Sequence, residues 1–277
     1  MTDLPPAQAP AAAMPVRLWG LLPCAGVGQR ALASGAQAGV PKQYQPLAGH
    51  PMVLHTLAAF AAVPRLAGTL VAVAPGDGFF AAHSHPAWFA VPCGGATRAA
   101  TVLGGLDALL QRGAQEADWV LVHDAARCLV QAQQIDALID ACLHDSVGGL
   151  LAYKLADTLK TAIDGPGGVR VAATVDRGDK WLAQTPQMFR LGPLRAALQK
   201  AGTSVTDEAS AMEAAGQHPR LVPGNAQNFK VTYPDDFALA EAVLLQRAHA
   251  GTLERFGAVR ETAADDRDRP EFSSRKV

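Results

Sequence analysis

No run in the chain approaches 18 uncharged apolar residues, which removes a transmembrane helix. The four cysteines, Cys24, Cys93, Cys128 and Cys142, form no C-x-x-C pair and lie in no histidine-rich spacing, so a zinc ribbon or finger is excluded. They read as reduced thiols of a cytoplasmic protein. Charge of one sign is also missing: 24 Lys and Arg stand against 25 Asp and Glu, a formal net charge of -1. Such a balance gives no field to draw nucleic acid or an anionic membrane, and leaves small anions to local basic clusters. The opening residues 1–16 have neither a basic start nor a continuous apolar stretch, so they read as a disordered leader rather than a signal peptide. Residues 251–277 hold 12 charged residues, six of each sign, and few large apolar ones; they read as a polar tail.

What is present is enough apolar material, 49% of 277 residues, to bury a sizeable core. Short apolar runs recur at Leu18 to Leu22, Thr69 to Ala74, Trp119 to Val122 and Gly149 to Ala152. Helical patterns lie between and after them, at about 52–62, 96–110, 131–143, 191–200, 207–215 and 234–246. Nearly unbroken apolar strands alternating with helices predict a three-layer, Rossmann-like α/β fold with a mostly parallel sheet. The order breaks at 154–180, where two short segments flank "DGPGG". This is the pattern of a β-hairpin, and it predicts a protruding arm.

The segment "LWGLLPCAGVGQR" (18–30) poses the functional question. Gly26, Gly28 and Ala31 satisfy the dinucleotide fingerprint. That reading needs an acidic residue about 20 positions beyond the loop for the ribose, and residues 45–53 contain none. A G-x-x-x-x-G-K-[ST] loop is absent too. Arg30 and the Lys42 of "PKQY" place two cations beside the glycine loop, which suits a triphosphate, with a dinucleotide loop and a structural glycine turn as the alternatives. "PCGGATRAATVLGGL" (92–106) repeats the device. Gly94 and Gly95 allow a flat base to approach the backbone, while Arg98 holds a phosphate or braces the loop. In "WVLVHDAARCLV" (119–130), Asp124 follows a buried strand, where a carboxylate needs a partner or a task. Magnesium coordination is such a task, because Mg2+ takes one or two carboxylates plus substrate phosphates; an Asp124–Arg127 ion pair is the structural alternative. His123 reads as structural.

Taken together, "PCAGVGQR", "PKQY", "GGATRAATVLGGL", "VLVHDAAR", "ADTLK", "TVDR", "QTPQMF", "TDEASAMEAAG" and "GNAQNFKVTYPDD", in this order from about Leu18 to Leu245, resemble the 2-C-methyl-D-erythritol 4-phosphate cytidylyltransferases of the non-mevalonate isoprenoid pathway. The resemblance implies a nucleotidyltransferase fold over 17–250, cytidylyl transfer from CTP, Mg2+, a cytoplasmic homodimer with exchanged arms, and no nucleic-acid or membrane partner. It implies that Arg30, Lys42 and Lys230 serve the triphosphate catalytically. Ala25, Gly26, Gly28, Gly94, Gly95, Arg98, Thr101, Asp124 and Ala125 would hold CTP, with Asp124 on the metal. Arg127, Thr158, Arg177 and Thr185 would hold the acceptor phosphate.

Departures from the family pattern are Cys24, where alanine is usual, a longer segment before "PKQY", and Gln227, near where an aspartate often stands. Some relatives are fused to a further enzyme of the pathway, and a chain of this length is expected to hold the first domain alone. Two other readings share parts of this pattern. A cytidylyltransferase for another alditol phosphate, such as ribitol 5-phosphate, would keep the CTP half. A non-catalytic nucleotide-binding scaffold would have no reason to place cations at each of these loops.

Overall fold

The computed structural model describes residues 15–26, 39–202 and 204–265, with side chains up to residue 250. Residues 1–14 of the expected leader, Gly28 and Arg30 of the glycine loop, and residues 266–277 of the expected tail lie outside them.

In chain order the elements are β1 (Leu18–Pro23), a 3-10 turn at Lys42–Tyr44, β2 (Pro46–Leu47), β3 (His50–Pro51), α1 (Met52–Ala61), β4 (Leu66–Ala72), β5 (Trp88–Val91), α2 (Arg98–Gln111), β6 (Trp119–Val122), α3 (Ala132–Cys142), β7 (Gly148–Lys154), β8 (Leu159–Gly165), β9 (Gly168–Val175), β10 (Trp181–Arg190), α4 (Leu191–Ala201), α5 (Glu208–Ala214), β11 (Arg220–Pro223) and α6 (Pro234–Asp265). The described residues fall into two compact units. Among them, the first holds 15–26, 57–125, 131–202 and 204–226; the second holds 39–56, 126–130 and 227–265.

The first unit is a seven-stranded sheet in the order β11-β7-β10-β6-β1-β4-β5. All neighbours pair in parallel except β10, which runs antiparallel to both β6 and β7. Alternate strand residues point to opposite faces. Trp19, Leu21, Leu70, Ala72, Val120, Val122 and Phe189 join one core with buried residues of α2, α4 and α5. On the other face α3 packs on β7, β10 and β11. Burial on both faces explains the unbroken apolar runs in the sequence. Interior glycines of α2 cost helix stability, but a Cβ at Gly105 would lie 2.4 Å from Leu21 Cδ1, so the residue lets the helix settle onto β1.

Sequence reasoning placed four of the seven strands by name and left β10 out. "WLAQTPQMFR" mixes polar and apolar residues because its first half is exposed and its second half buried. Its pairing with β7 shifts between Ala183 and Gln187, so Gln184, Thr185 and Pro186 leave the ladder. The hairpin β8–β9 forms a separate two-stranded sheet, as expected at 154–180. Ile163, Val169 and Val171 on it are exposed.

The second unit gathers Leu47, Met52, Ala126, Cys128, Leu129, Val231 and Ala240 into its own apolar cluster. Asp236 Oδ2 accepts the Thr232 and Tyr233 N–H groups (2.7 and 2.8 Å) at the start of α6, where two first-turn acids meet the positive helix end. Beyond 246, where the sequence reading ends this helix, α6 continues to Asp265. The stretch 251–265 is rich in helix-forming Glu, Arg and Ala, and its two glycines, Gly251 and Gly257, cost only about 1 kcal/mol each. No helix among the described residues is long and apolar enough to cross a membrane.

Candidate active site

In the first unit the chemistry gathers past the carboxyl end of β6. His123 N–H extends the ladder to Leu21 O (2.9 Å), and Asp124 follows it with its residue 8% exposed. Asp124 Oδ1 accepts from Arg98 Nε at 2.8 Å. The two terminal nitrogens of the same guanidinium donate to Glu208 Oε1 and Oε2 at 2.7 and 3.0 Å. Glu208 is fully buried, and a bidentate arginine fork is the partner such a carboxylate requires. Burial pulls the Arg98 pKa down, but the Glu208 and Asp124 charges outweigh it and hold it above the ordinary value. One positive and two negative groups leave this cluster anionic. In this structure Arg98 braces Asp124, one of the two roles expected of it.

Asp124 is also held by its backbone. Its N–H donates to Thr185 Oγ1 (3.1 Å), and the same hydroxyl shares a hydrogen bond with His123 Nδ1 at 3.0 Å. The break in the β10 ladder at 184–186 is what frees Thr185 to reach the β6 end. His123 is fully buried against the Phe60 ring, the structural role expected of it.

The two glycine segments of this unit also meet. Gly94 N–H donates to Val73 O at 2.9 Å, and a Cβ on Gly94 would lie 2.2 Å from the Ala25 Cβ, so no other residue fits there. Thr101 turns its hydroxyl to the Gly95 N–H, Gly95 O and Thr97 O (3.1, 3.3 and 2.9 Å), which fixes the glycine pair from beneath. Gly26 is exposed just past β1, and Ala125 is buried after Asp124.

Sequence reasoning missed two residues here, Glu208 and Gln187. Gln187 is 1% exposed; its Nε2 donates to Asp207 Oδ2 (2.9 Å) and its Oε1 accepts the Ala209 N–H (2.7 Å). The motifs "QTPQ" and "TDEAS" therefore grip each other, with Glu208 between the two gripped residues.

Thr158 and Arg177 lie exposed at the base of the hairpin arm. The pairing Leu159↔Val175 sets the two residues on neighbouring strands' outer ends.

In the second unit, Lys42 rides the 3-10 turn and donates to Val231 O at 2.7 Å, one residue beyond Lys230. Val231 N–H in turn donates to Ala126 O (2.9 Å), and Arg127 donates to Asn228 O at 2.8 Å. Thus "PKQY", "AAR" and "NFKV" converge, with Lys42, Arg127 and Lys230 each partly buried. Gln227 accepts from Arg247 at 2.8 Å.

No group of three His, Cys, Asp or Glu able to cage a metal exists among the described residues. Asp124 still fits Mg2+, because that ion needs only one or two protein carboxylates when phosphates supply the rest, and because its cluster is anionic.

Residues 18–246 match the family model described as 2-C-methyl-D-erythritol 4-phosphate cytidylyltransferase. The chain is 64% identical over 245 residues to the bifunctional enzyme IspD/IspF of Albidiferax ferrireducens, covering 88% of this chain and 56% of that protein, so it spans about half of that relative. It is 54% identical over 226 residues to the 2-C-methyl-D-erythritol 4-phosphate cytidylyltransferase of Bordetella pertussis, covering 80% of this chain and 96% of that one. Among solved structures, a 4-diphosphocytidyl-2C-methyl-D-erythritol synthase aligns with a TM-score of 0.71 at 37% identity, over 84% of this chain and all of the other. The Thermus thermophilus cytidylyltransferase aligns at 0.64 and 31%, over 83% and 98%.

Proposed function

The chain belongs to the 2-C-methyl-D-erythritol 4-phosphate cytidylyltransferase family, and from that premise we propose how its residues divide the work of the reaction. The reaction is transfer of a cytidylyl group from CTP to 2-C-methyl-D-erythritol 4-phosphate, with release of pyrophosphate, in isoprenoid precursor biosynthesis. The acceptor phosphate is already a nucleophile, so in-line attack on the α-phosphorus needs no general base. The difficulty is charge: nucleophile, electrophile and leaving group are all anionic, and fixed cations must offset them.

Lys42, Lys230 and Arg30 take the triphosphate and the charge that grows on the leaving pyrophosphate. The observation that carries this is the Lys42 contact with Val231, which draws the two lysine-bearing segments together around neutral carbonyls. Gly94 and Gly95, fixed by Thr101, present peptide groups to the base together with Ala25, Gly26, Gly28 and Ala125; a pyrimidine fits against such a close-set backbone. Asp124, steadied by Arg98 and Thr185, would hold Mg2+, which when bound supplies positive charge to the phosphates. Arg127, Thr158 and Arg177 bind the acceptor phosphate, and Thr185 shapes that side through Asp124.

The enzyme acts in the cytoplasm as a homodimer in which each arm reaches the other subunit. Exposed Ile163, Val169 and Val171 on the arm, and Leu182 at its exit, support a second copy as their cover. An Arg177 variant mixed with a Lys42 variant regains activity only if the arms are exchanged.

Pyrophosphate release over a panel of nucleotides and alditol phosphates tests the substrate pair. Release with Mg2+, CTP and 2-C-methyl-D-erythritol 4-phosphate is expected. A higher kcat/KM with ribitol 5-phosphate would overturn the acceptor, and equal rates with ATP would overturn the base.

A further inference from the structure

Glu208 lies outside every role assigned above, yet it is fully buried and engages both terminal nitrogens of Arg98. We propose that Glu208 is a positioning residue for cytidylyl transfer, which through Arg98 sets the orientation and the net charge of the Asp124 carboxylate that receives the divalent cation. This rests on the reading of Asp124 as the metal carboxylate.

The guanidinium is planar and rigid. With its two terminal nitrogens locked on the Glu208 oxygens, the direction of Nε–H is no longer adjustable, and that hydrogen bonds Asp124 Oδ1 at 2.8 Å. Glu208 itself cannot shift, because Gln187 binds the residue on each side of it, at Asp207 and Ala209. Rigidity thus passes from Gln187 to Glu208, to Arg98, to Asp124. Charge passes along the same chain. With the Glu208 carboxylate in place, the Arg98 charge is shared between two carboxylates; with a neutral residue there, more of it falls on Asp124 and weakens the attraction of that carboxylate for a cation. Arg98 also opens α2, at the positive end of a helix dipole, where a cation is disfavoured unless a carboxylate compensates it.

A purely structural ion pair would affect folding and nothing else, so the test reads metal affinity apart from turnover. Mn2+ stands in for Mg2+, and free Mn2+ is followed by electron paramagnetic resonance in titrations of enzyme with CTP and no acceptor. Glu208→Gln is close in shape and lacks the charge. It is expected to weaken Mn2+ binding about 10- to 100-fold, the usual loss when a partner behind a metal ligand is changed. It should lower kcat correspondingly and leave the KM for acceptor and the metal-free Kd for CTP within about threefold. Glu208→Asp, which keeps the charge one methylene further back, is expected to recover part of the affinity. Should Glu208→Gln fail to fold, Arg98→Lys carries the same test, since one ammonium cannot hold two carboxylates in a fixed plane; it too should weaken Mn2+ binding at least tenfold. Asp124→Asn separates the two readings. If it weakens Mn2+ while the folded Glu208→Gln or Arg98→Lys protein binds Mn2+ within threefold of the parent, the positioning role is overturned and the metal reading stands. If Asp124→Asn leaves Mn2+ binding unchanged, both are overturned.

Discussion

The two units use basic side chains in opposite ways. In the first, Arg98 is gripped by two carboxylates, so its charge is spent inside the protein and the cluster is left anionic. In the second, Lys42 and Arg127 each donate to a peptide carbonyl, that of Val231 and that of Asn228. A cation near a strand end is therefore not a phosphate ligand by position alone. Its partner decides whether it shapes the protein or faces a substrate.

The sharpest way to break this comparison is to remove one cation from each unit. Arg98→Met strands Glu208 as an unpaired buried charge, and the loss of stability is expected to be about 3–5 kcal/mol by urea unfolding. A loss below about 1 kcal/mol would mean that the carboxylates do not depend on Arg98. Lys42→Met reverses the balance. Stability should fall by less than for Arg98→Met, since no buried carboxylate of the cluster is stranded, while kcat should fall about 100-fold or more, as when a transition-state donor is removed. A kcat within about threefold of the parent would remove Lys42 from the chemistry.

Asp118 extends the comparison to a carboxylate whose partners are mostly neutral donors. It is buried, and it accepts from Arg17 N (2.9 Å), Trp19 Nε1 (3.1 Å) and Gln115 N (2.9 Å), with the Arg17 guanidinium at 3.3 Å. Burial pushes its pKa up, but these donors and the Arg17 charge outweigh burial and hold it below the usual carboxylate range. Because the folded-state value is depressed, its contribution is complete above an unfolded pKa of about 3.9 and is lost as pH falls through the folded value. Asp118→Asn turns an amide toward N–H donors, and is expected to cost about 1–3 kcal/mol at pH 7. The gap between parent and variant should narrow below pH 4 in urea titrations; a gap that stays constant would show that the ionised form is not what the donors stabilise.

Arg177, exposed at the base of the arm, is the mildest case. Arg177→Ala should raise the KM for the acceptor about tenfold and leave the KM for CTP and the unfolding midpoint unchanged. A matching rise in the KM for CTP would move Arg177 to the nucleotide side.

The sequence carries the parallel sheet and the arm because each is written locally, in apolar runs and in "DGPGG", whereas Lys42 and Lys230 were brought together only by the family resemblance. Glu208 was illegible for the opposite reason. In "TDEAS" it looks like an ordinary first-turn acid beside the N-cap Asp207. Its meaning lies in an arginine 110 residues away. Gln187 reads as one polar residue of a mixed strand until α5 is packed against it. Of all the signals, a carboxylate directly after a helix N-cap, in a segment flanked by small apolar residues, came nearest to revealing the pair.

The place of β10 in the sheet bears on how the chain is made. Strands leave the ribosome in sequence order, but β10 inserts between β6 and β7, both of which are synthesised before it. From the end of β6 at Val122 to the end of β10 at Arg190, the nascent sheet holds two interior strands with open edges. At about 5–20 residues per second this interval lasts on the order of several seconds. During that time the apolar edges of β6 and β7 are exposed to pairing with other chains, the hazard that edge strands present. The same delay falls on the charged cluster, since Glu208 emerges last of its three members. The bidentate grip on Arg98 and the last strand of the sheet, β11, therefore both arrive late in translation, after β10 has closed the gap between β6 and β7.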